Sequence, residues 1–564
     1  MTLKSFSIPY AIAVSLTLFL ASCGGGGSSS SGTTPVFQVP PPPAPTPAPP
    51  PPPPETAETT LSGTLMFERV PLSAVTNGLD YNNTFQLPIR SAPVDLLDSN
   101  GAVIDSTVSD DAGAYSFTVN TNAIVSVRVR AEIVQENVNF RVIDNTSSDA
   151  IYTLQGAAAS VGAGPQSRDL IAGSGWTGTA YTQTRAAAPF ALLDTVLSSV
   201  EDFMVFDTST AFPEFDILWS VNNRPESGTV ADGEIGTSSF TTVNGRPQIR
   251  ILGLANNDTD EYDEHVVTHE FGHYLEDQLS RSDSLGGPHS IFSRLDPRVA
   301  FSEGWGNALS AILTGETIYR DSGGNSQANG FSFDVENNNL GNQGWYSEAS
   351  VQSILYNLFD SNNDDVDQIS LGLGPIFSTF TDDAYTQSDF FTTIYSFVDV
   401  LAAQSSAPDA DAITVLLESE QIFGTGPDGA NETNAGGLST NLPVYSRSEV
   451  GAEPLTFCSV NDNGIFNRLG NRVFATLDLT NDAALDFRME RVSGPTARDP
   501  DFRIFSQGRL VARGISPDVD LETANISLSA GRYIISAADD RNLRLNDDDE
   551  TGADSCYSFS VNGG

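Results

Sequence analysis

From about Leu61 to Ala131 apolar and polar residues alternate along the chain. Val94 and Leu96 stand against polar neighbours, and Tyr115, Phe117 and Val119, then Val125, Val127 and Val129, repeat the two-residue period. The turn signals SNG at Gly101 and DAG at Gly113 punctuate the pattern. A two-residue period broken by turns is the mark of half-buried strands, so residues 58–135 are expected to form a small β-sandwich. Over residues 136–450 the period lengthens. Phe190, Leu193, Leu197 and Val200 in APFALLDTVLSSVEDFMVF make a helical stripe, and helical patterns recur around 300, 350, 395 and 415. The run QIRILGL, Gln248 to Leu254, reads as a strand. After it the chain turns into a helix whose start resembles a capping box, with Asp258 three residues before Glu261, and which runs to about Leu279. Beyond Pro454 short alternating runs return, at Val473 to Leu479, Phe502 to Phe505, Ile526 to Leu528 and Tyr557, Phe559 and Val561. They predict a second sandwich over 451–564.

The first 57 residues follow other rules. Lys4, the apolar run IPYAIAVSLTLFL and the sequence Leu20-Ala21-Ser22-Cys23 make residues 1–22 a lipoprotein signal peptide whose apolar run is too short to span a bilayer. Cleavage before Cys23 would leave a lipidated cysteine and a membrane anchor without a transmembrane helix, and Gly24 resembles the lipoproteins sent to the bacterial outer membrane. Residues 23–57 are a Gly/Ser- and Pro-rich linker that cannot build a core. The expected fold class is therefore multidomain: an α+β domain at 136–450 flanked by two all-β sandwiches, after a signal and a linker.

Charge narrows the partners. With 27 basic against 72 acidic residues, the net charge of -45 repels phosphate backbones and anionic lipid surfaces, which excludes nucleic acid. Besides Cys23 there are two cysteines, Cys458 and Cys556, and an exported chain can join them as a disulfide. The acidic run Asp360 to Asp367 alternates like a calcium loop, which brings Ca2+ into view. Asp365 replaces the expected glycine and Leu371 the closing glutamate, so a solvated acidic loop is the favoured reading. Nothing in the sequence sets an oligomeric state.

All four histidines fall between His265 and His289, and HEFGH places His269 and His273 one helical turn apart with Glu270 between them. Two imidazoles at that spacing converge on one zinc ion while the glutamate faces the open coordination position. The metzincin continuation fails, because Glu276 and Leu279 stand where glycine and a third histidine belong. The better third ligand is Glu303, on a second helix that starts at Asp296-Pro297 and runs to about Leu313. His265 is read as a supporting or surface residue, since only His269 and His273 flank Glu270.

HEFGH followed on a second helix by Glu303 resembles the gluzincin metallopeptidases, and SEGWGNAL with the upstream LGGP is similar to the fungalysin-type motifs EGWSD and TGGP. The stretch APVDLLDSNGAVIDSTVSDDAGAYSF resembles carboxypeptidase regulatory-like modules, and 451–564 looks similar to pre-peptidase C-terminal domains. The gluzincin resemblance implies a zincin-like fold and a zinc-activated water attacking a peptide bond, with Glu270 as general base. It implies an oxyanion donor, for which Tyr346 and His289 are candidates, and an edge strand for extended peptide, expected at Gln248 to Leu254. Asn307 stands where the family usually has an aspartate that holds a zinc histidine, so orientation survives without the negative charge. The expected function is that of a membrane-anchored, exported, zinc-dependent endopeptidase acting on peptides or proteins. The alternative is a surface binding or adhesion lipoprotein with a structural or degenerate zinc site.

Overall fold

In the computed structural model, which describes residues 57–362, 367–544 and 552–564, the alternating N-terminal runs are strands with one buried face. Leu61, Leu65 and Phe67 on Glu58–Arg69 and Tyr115, Phe117 and Val119 on Ala114–Asn120 turn inward, and the two strands pair antiparallel. A second sheet is built on Ile124–Arg130 and Pro93–Leu97, and Val94, Leu96, Val127 and Val129 join the same apolar cluster. Glu58–Arg69 also takes Leu170–Ala172 as a parallel neighbour, so this first β layer draws on chain well beyond residue 135. Its apolar cluster continues without a break into the helical region.

The central sheet runs in the order Ser239–Val243, Arg246–Ile251, Phe212–Trp219, Val138–Asp144 and Glu132–Val134. Helices α1 (Ala188–Met204) and α2 (Glu264–Leu279) lie against it. Phe203 on α1 and Phe215 on the sheet both meet Phe271 on α2, and Phe215 packs on Tyr274 with ring centroids 4.3 Å apart. Helix α3 (Pro297–Thr314) packs on α2, and α4 (Glu348–Phe359) packs on α3. The Asp296 carboxylate caps α3 at Arg298 N with proline at the first turn, and Gly315 ends it in the left-handed conformation.

Helix α2 does not start at Asp258. Asp258–Thr259 is a short strand, the helix begins at Glu264, and the residue before it, Asp263, accepts from the backbone N–H and hydroxyl of Ser322 instead of capping its own helix. Asp258 instead pairs as a strand residue with Gly323, Glu261 binds Arg185, and Asp263 ties the helix start to the hairpin Ile318–Gly323 and Asn329–Asp334.

After residue 444 the chain forms a five-stranded and a four-stranded sheet with an apolar cluster of their own, centred on Phe457, Leu477, Phe487, Phe502 and Phe559. Cys458 and Cys556 face each other across the pair Leu455–Ser459 and Ser555–Gly563 and are joined as a disulfide. Between its strands Leu455–Ser459 and Arg472–Leu479 this sandwich reaches back to the helical region: Asn467 O accepts from Asp296 N, the Asn467 amide donates to Gly286 O at 2.8 Å, and Arg468 donates to Pro288 O at 2.6 Å. The molecule is a mixed assembly of β-rich layers and a helical part with eight α-helices among the described residues. None of those helices is long and apolar enough to cross a membrane. Cys23 and the signal and linker up to residue 56 lie outside the described residues, as do residues 363–366 of the acidic run.

Candidate metal centre and its cleft

Helix α2 presents His269 and His273 from successive turns, and α3 presents Glu303 between them. The two imidazole Nε2 atoms are 3.0 Å apart, and each lies 3.3 Å from Glu303 Oε2. Donors bound tetrahedrally at 2.0–2.1 Å from a zinc ion lie about 3.3 Å from one another, so the three atoms have the spacing of three corners of such a shell. Glu303 Oε2 is buried, and the groups that face it are the Nε2 atoms of His269, His273 and His289 at 3.2–3.3 Å. The donor set fits zinc.

Close approach of the helices depends on glycine. A Cβ on Gly306 would lie 2.8 Å from the His269 ring, and one on Gly304 would lie 2.5 Å from Val351 on α4. The two glycines of SEGWGNAL therefore let α3 sit flush between the metal histidines and α4.

Each histidine is held from behind. His269 Nδ1 bonds Asn307 Oδ1 at 2.9 Å, and the Asn307 amide donates to Gln352 Oε1, which fixes the flip of Asn307 and leaves His269 Nε2 for the ion. His273 Nδ1 bonds Ser302 Oγ at 3.3 Å, Ser302 donates to Glu276 Oε2 at 2.5 Å, and that carboxylate oxygen is itself 3.7 Å from the ring. Burial lowers the proton affinity of His273, but the carboxylates of Glu303 and Glu276 outweigh it and hold the pKa well above the usual histidine value. Glu303 is pushed the opposite way: burial raises it, and His289 and His273 pull it well below the ordinary carboxylate range.

His289 lies on the loop between α2 and α3, with Nε2 3.2 Å from Glu303 Oε2 and Nδ1 2.9 Å from Glu348 Oε2. Burial opposes its charge, yet the two glutamates raise its pKa to about 9. Glu348, at the first turn of α4, is buried and serves as the orienting carboxylate for this ring. Tyr346 is placed otherwise. Its hydroxyl donates to Gln343 O at 3.0 Å and Asn434 Oδ1 at 3.1 Å, its ring is buried, and it is not among the residues that line the cleft; it braces the chain before α4 and is no oxyanion donor here. His265 turns to Glu316 O and Thr314 and packs on Tyr319, apart from the three donors.

Glu270 borders a cleft of about 830 Å³ together with His269, His273, His289 and Glu303. One wall of that cleft is Ser239–Val243. The expected edge strand is corrected here: Arg246–Ile251 is paired on both sides, antiparallel to Ser239–Val243 and parallel to Phe212–Trp219, whereas Ser239–Val243 has a partner on one side only among the described residues. The hairpin between them turns at Asn244-Gly245 with φ of 52° and 78°, the doubly positive pattern of a tight two-residue turn. The dipeptide Asn-Gly between two alternating runs is the sequence signal that marks this edge. Glu276 is three residues after His273 on α2, a spacing that the sequence shows, whereas Ser302 and Glu348 reach their histidines only through the packing of separate elements.

The family described as Mycolysin C-terminal domain matches residues 231–412, a segment that contains the three donors, Glu270, His289, Asn307 and Glu348. No curated protein matches the chain. Among solved structures, the pre-peptidase C-terminal domain of collagenase from Bacillus anthracis is similar at 12% identity, over 21% of this chain and 95% of that one, with a TM-score of 0.16. A β-1,3-glucan-binding CBM6 from Bacillus halodurans is similar at 16% identity, over 21% and 99%, with a TM-score of 0.14. The family match points to a peptidase family and marks the chain as a metallopeptidase-related protein.

Proposed function

We propose that the protein is a zinc-dependent endopeptidase of gluzincin type, with His269, His273 and Glu303 holding the metal and Glu270 as general base. The observation that carries this reading is the set of three donor atoms 3.0–3.3 Å apart with Glu270 on the same helix at the cleft. When bound, zinc supplies Lewis acidity to the water and the scissile carbonyl. Glu270 accepts a proton from the attacking water and passes it to the leaving amine nitrogen. His289 directs Nε2 into the site, where it donates to the carbonyl oxygen as negative charge develops, and Glu348 fixes its ring through Nδ1. An extended peptide adds alongside Ser239–Val243, whose outer backbone groups have no strand partner among the described residues. Cleavage before Cys23 anchors the chain in a bacterial outer membrane by lipid, with the Gly/Ser- and Pro-rich linker as its stalk.

Zinc content and casein hydrolysis of the full chain test this reading. The expected result is about one zinc per chain and activity abolished by a chelator and by Glu303→Ala. Stoichiometric zinc without cleavage of any peptide in a broad library would replace the enzyme by a surface binding protein with a structural metal.

A further inference from the structure

Beside the cleft lies a second cavity of about 350 Å³ that shares His269, Glu270 and His289 with it. Its lining combines two chemistries, with Asp321 directly opposite Phe331 across the hairpin. Val266, Ile291, Phe292, Phe331 and Phe333 form apolar walls, and Phe292 and Phe331 stay 69% and 55% exposed although they are large aromatics. Asp258, Asp260 and Asp321 line it as well, each offering one carboxylate oxygen within 4.8 Å of the other two.

Three carboxylates so close repel one another strongly where water is scarce, and such a group calls for a positive partner. The protein does not provide one: among the described residues no arginine, lysine or histidine forms an ion pair with any of the three. Asp260 is 2% exposed, and its Oδ1, like Asp258 Oδ1, has no hydrogen-bond partner. The other Asp260 oxygen accepts from Ser238, next to the edge strand.

We propose that this cavity is a specificity pocket for a lysine or arginine side chain adjacent to the scissile bond, its charged head against Asp258, Asp260 and Asp321. This rests on the peptidase reading above and adds the substrate class. The methylene stem of a long basic side chain lies on Phe292 and Phe331 while its head meets the carboxylates, as a lining that sets Phe331 beside Asp321 allows. A bare divalent cation gains nothing from the aromatic walls that Phe292 and Phe331 give this cavity.

The test uses the full-length, zinc-loaded protein and peptides that differ only in the residue flanking the cleaved bond: lysine, arginine, methionine or glutamate. The expected kcat/KM for lysine and arginine exceeds that for methionine at least tenfold. In Asp321→Asn and, separately, Asp258→Asn, that ratio falls toward one while methionine peptides are still cut. Hydrolysis of all four with no basic preference overturns the pocket and leaves the peptidase reading standing. Failure to cleave any peptide overturns both. Stoichiometric calcium binding that Asp321→Asn abolishes, with an unchanged lysine-to-methionine ratio, overturns the proposal in favour of a cation site.

Discussion

A Glu270→Gln substitution keeps the shape of the side chain and removes its basicity, so zinc content is expected to stay at wild-type level while kcat falls by about 10²–10⁴-fold. A structural zinc site has no use for that carboxylate. Glu276→Gln acts one step further out. Loss of the carboxylate behind His273 is expected to weaken zinc binding by about 10–100-fold, read from competition with a chromogenic chelator. Asp321 makes a prediction about pH. Burial and the charge of Asp258 raise its pKa from 3.8 to about 7 in the folded protein. Between those values the folded state keeps a proton that the unfolded chain has released, so its contribution falls as pH rises across that window and is lost above 7. Asp321→Asn is expected to flatten the decline of Tm between pH 4 and 8.

At the level of elements, the hairpin that makes the edge strand depends on the left-handed Gly245. Open space surrounds the position, so Gly245→Val meets no neighbour and costs only backbone strain, about 1–2 kcal/mol. The expected signature is a raised KM for extended peptides with zinc content intact. The same hairpin shows which parts of the structure are legible in the chain. HEFGH is readable because both histidines and the glutamate sit on one helix, where spacing alone sets the face; α3 is readable from Asp296-Pro297 and Gly315, which cap it. The start of α2 is not, since Asp258 and Glu261 have the spacing of a cap while their neighbour Asp263 is used by Ser322 on a distant hairpin. Tyr346 precedes a helix as an oxyanion donor might be expected to, yet its hydroxyl is taken by Gln343 and Asn434, the latter from a loop almost ninety residues away. Glu348 behind His289 exists as a partner only once the loop after α2 has packed on α4, whereas Glu276 stands three residues after His273 on α2 itself.

At the scale of the whole molecule, the two largest apolar clusters predict two unfolding events, linked by a small cluster in which Phe390 and Phe391 meet Phe474 and Ile534. The disulfide between Cys458 and Cys556 closes a loop of 98 residues within the second, so Cys458→Ser with Cys556→Ser is expected to cost about 2–5 kcal/mol. Calorimetry should show the loss in the transition of the C-terminal sandwich first. That sandwich is more than a spacer, because Asn467 and Arg468 hold the backbone of Gly286 and Pro288, the residues just before His289. A chain cut after the helical region would keep every metal donor and Glu270 but lose the grip on the loop that aims His289. The helical part and its C-terminal sandwich are therefore not interchangeable cassettes: anyone transplanting helices α2 and α3 into another scaffold, or swapping the sandwich for a different module, must carry this two-residue clasp across or expect the three donors to stay in place while His289 loses its aim.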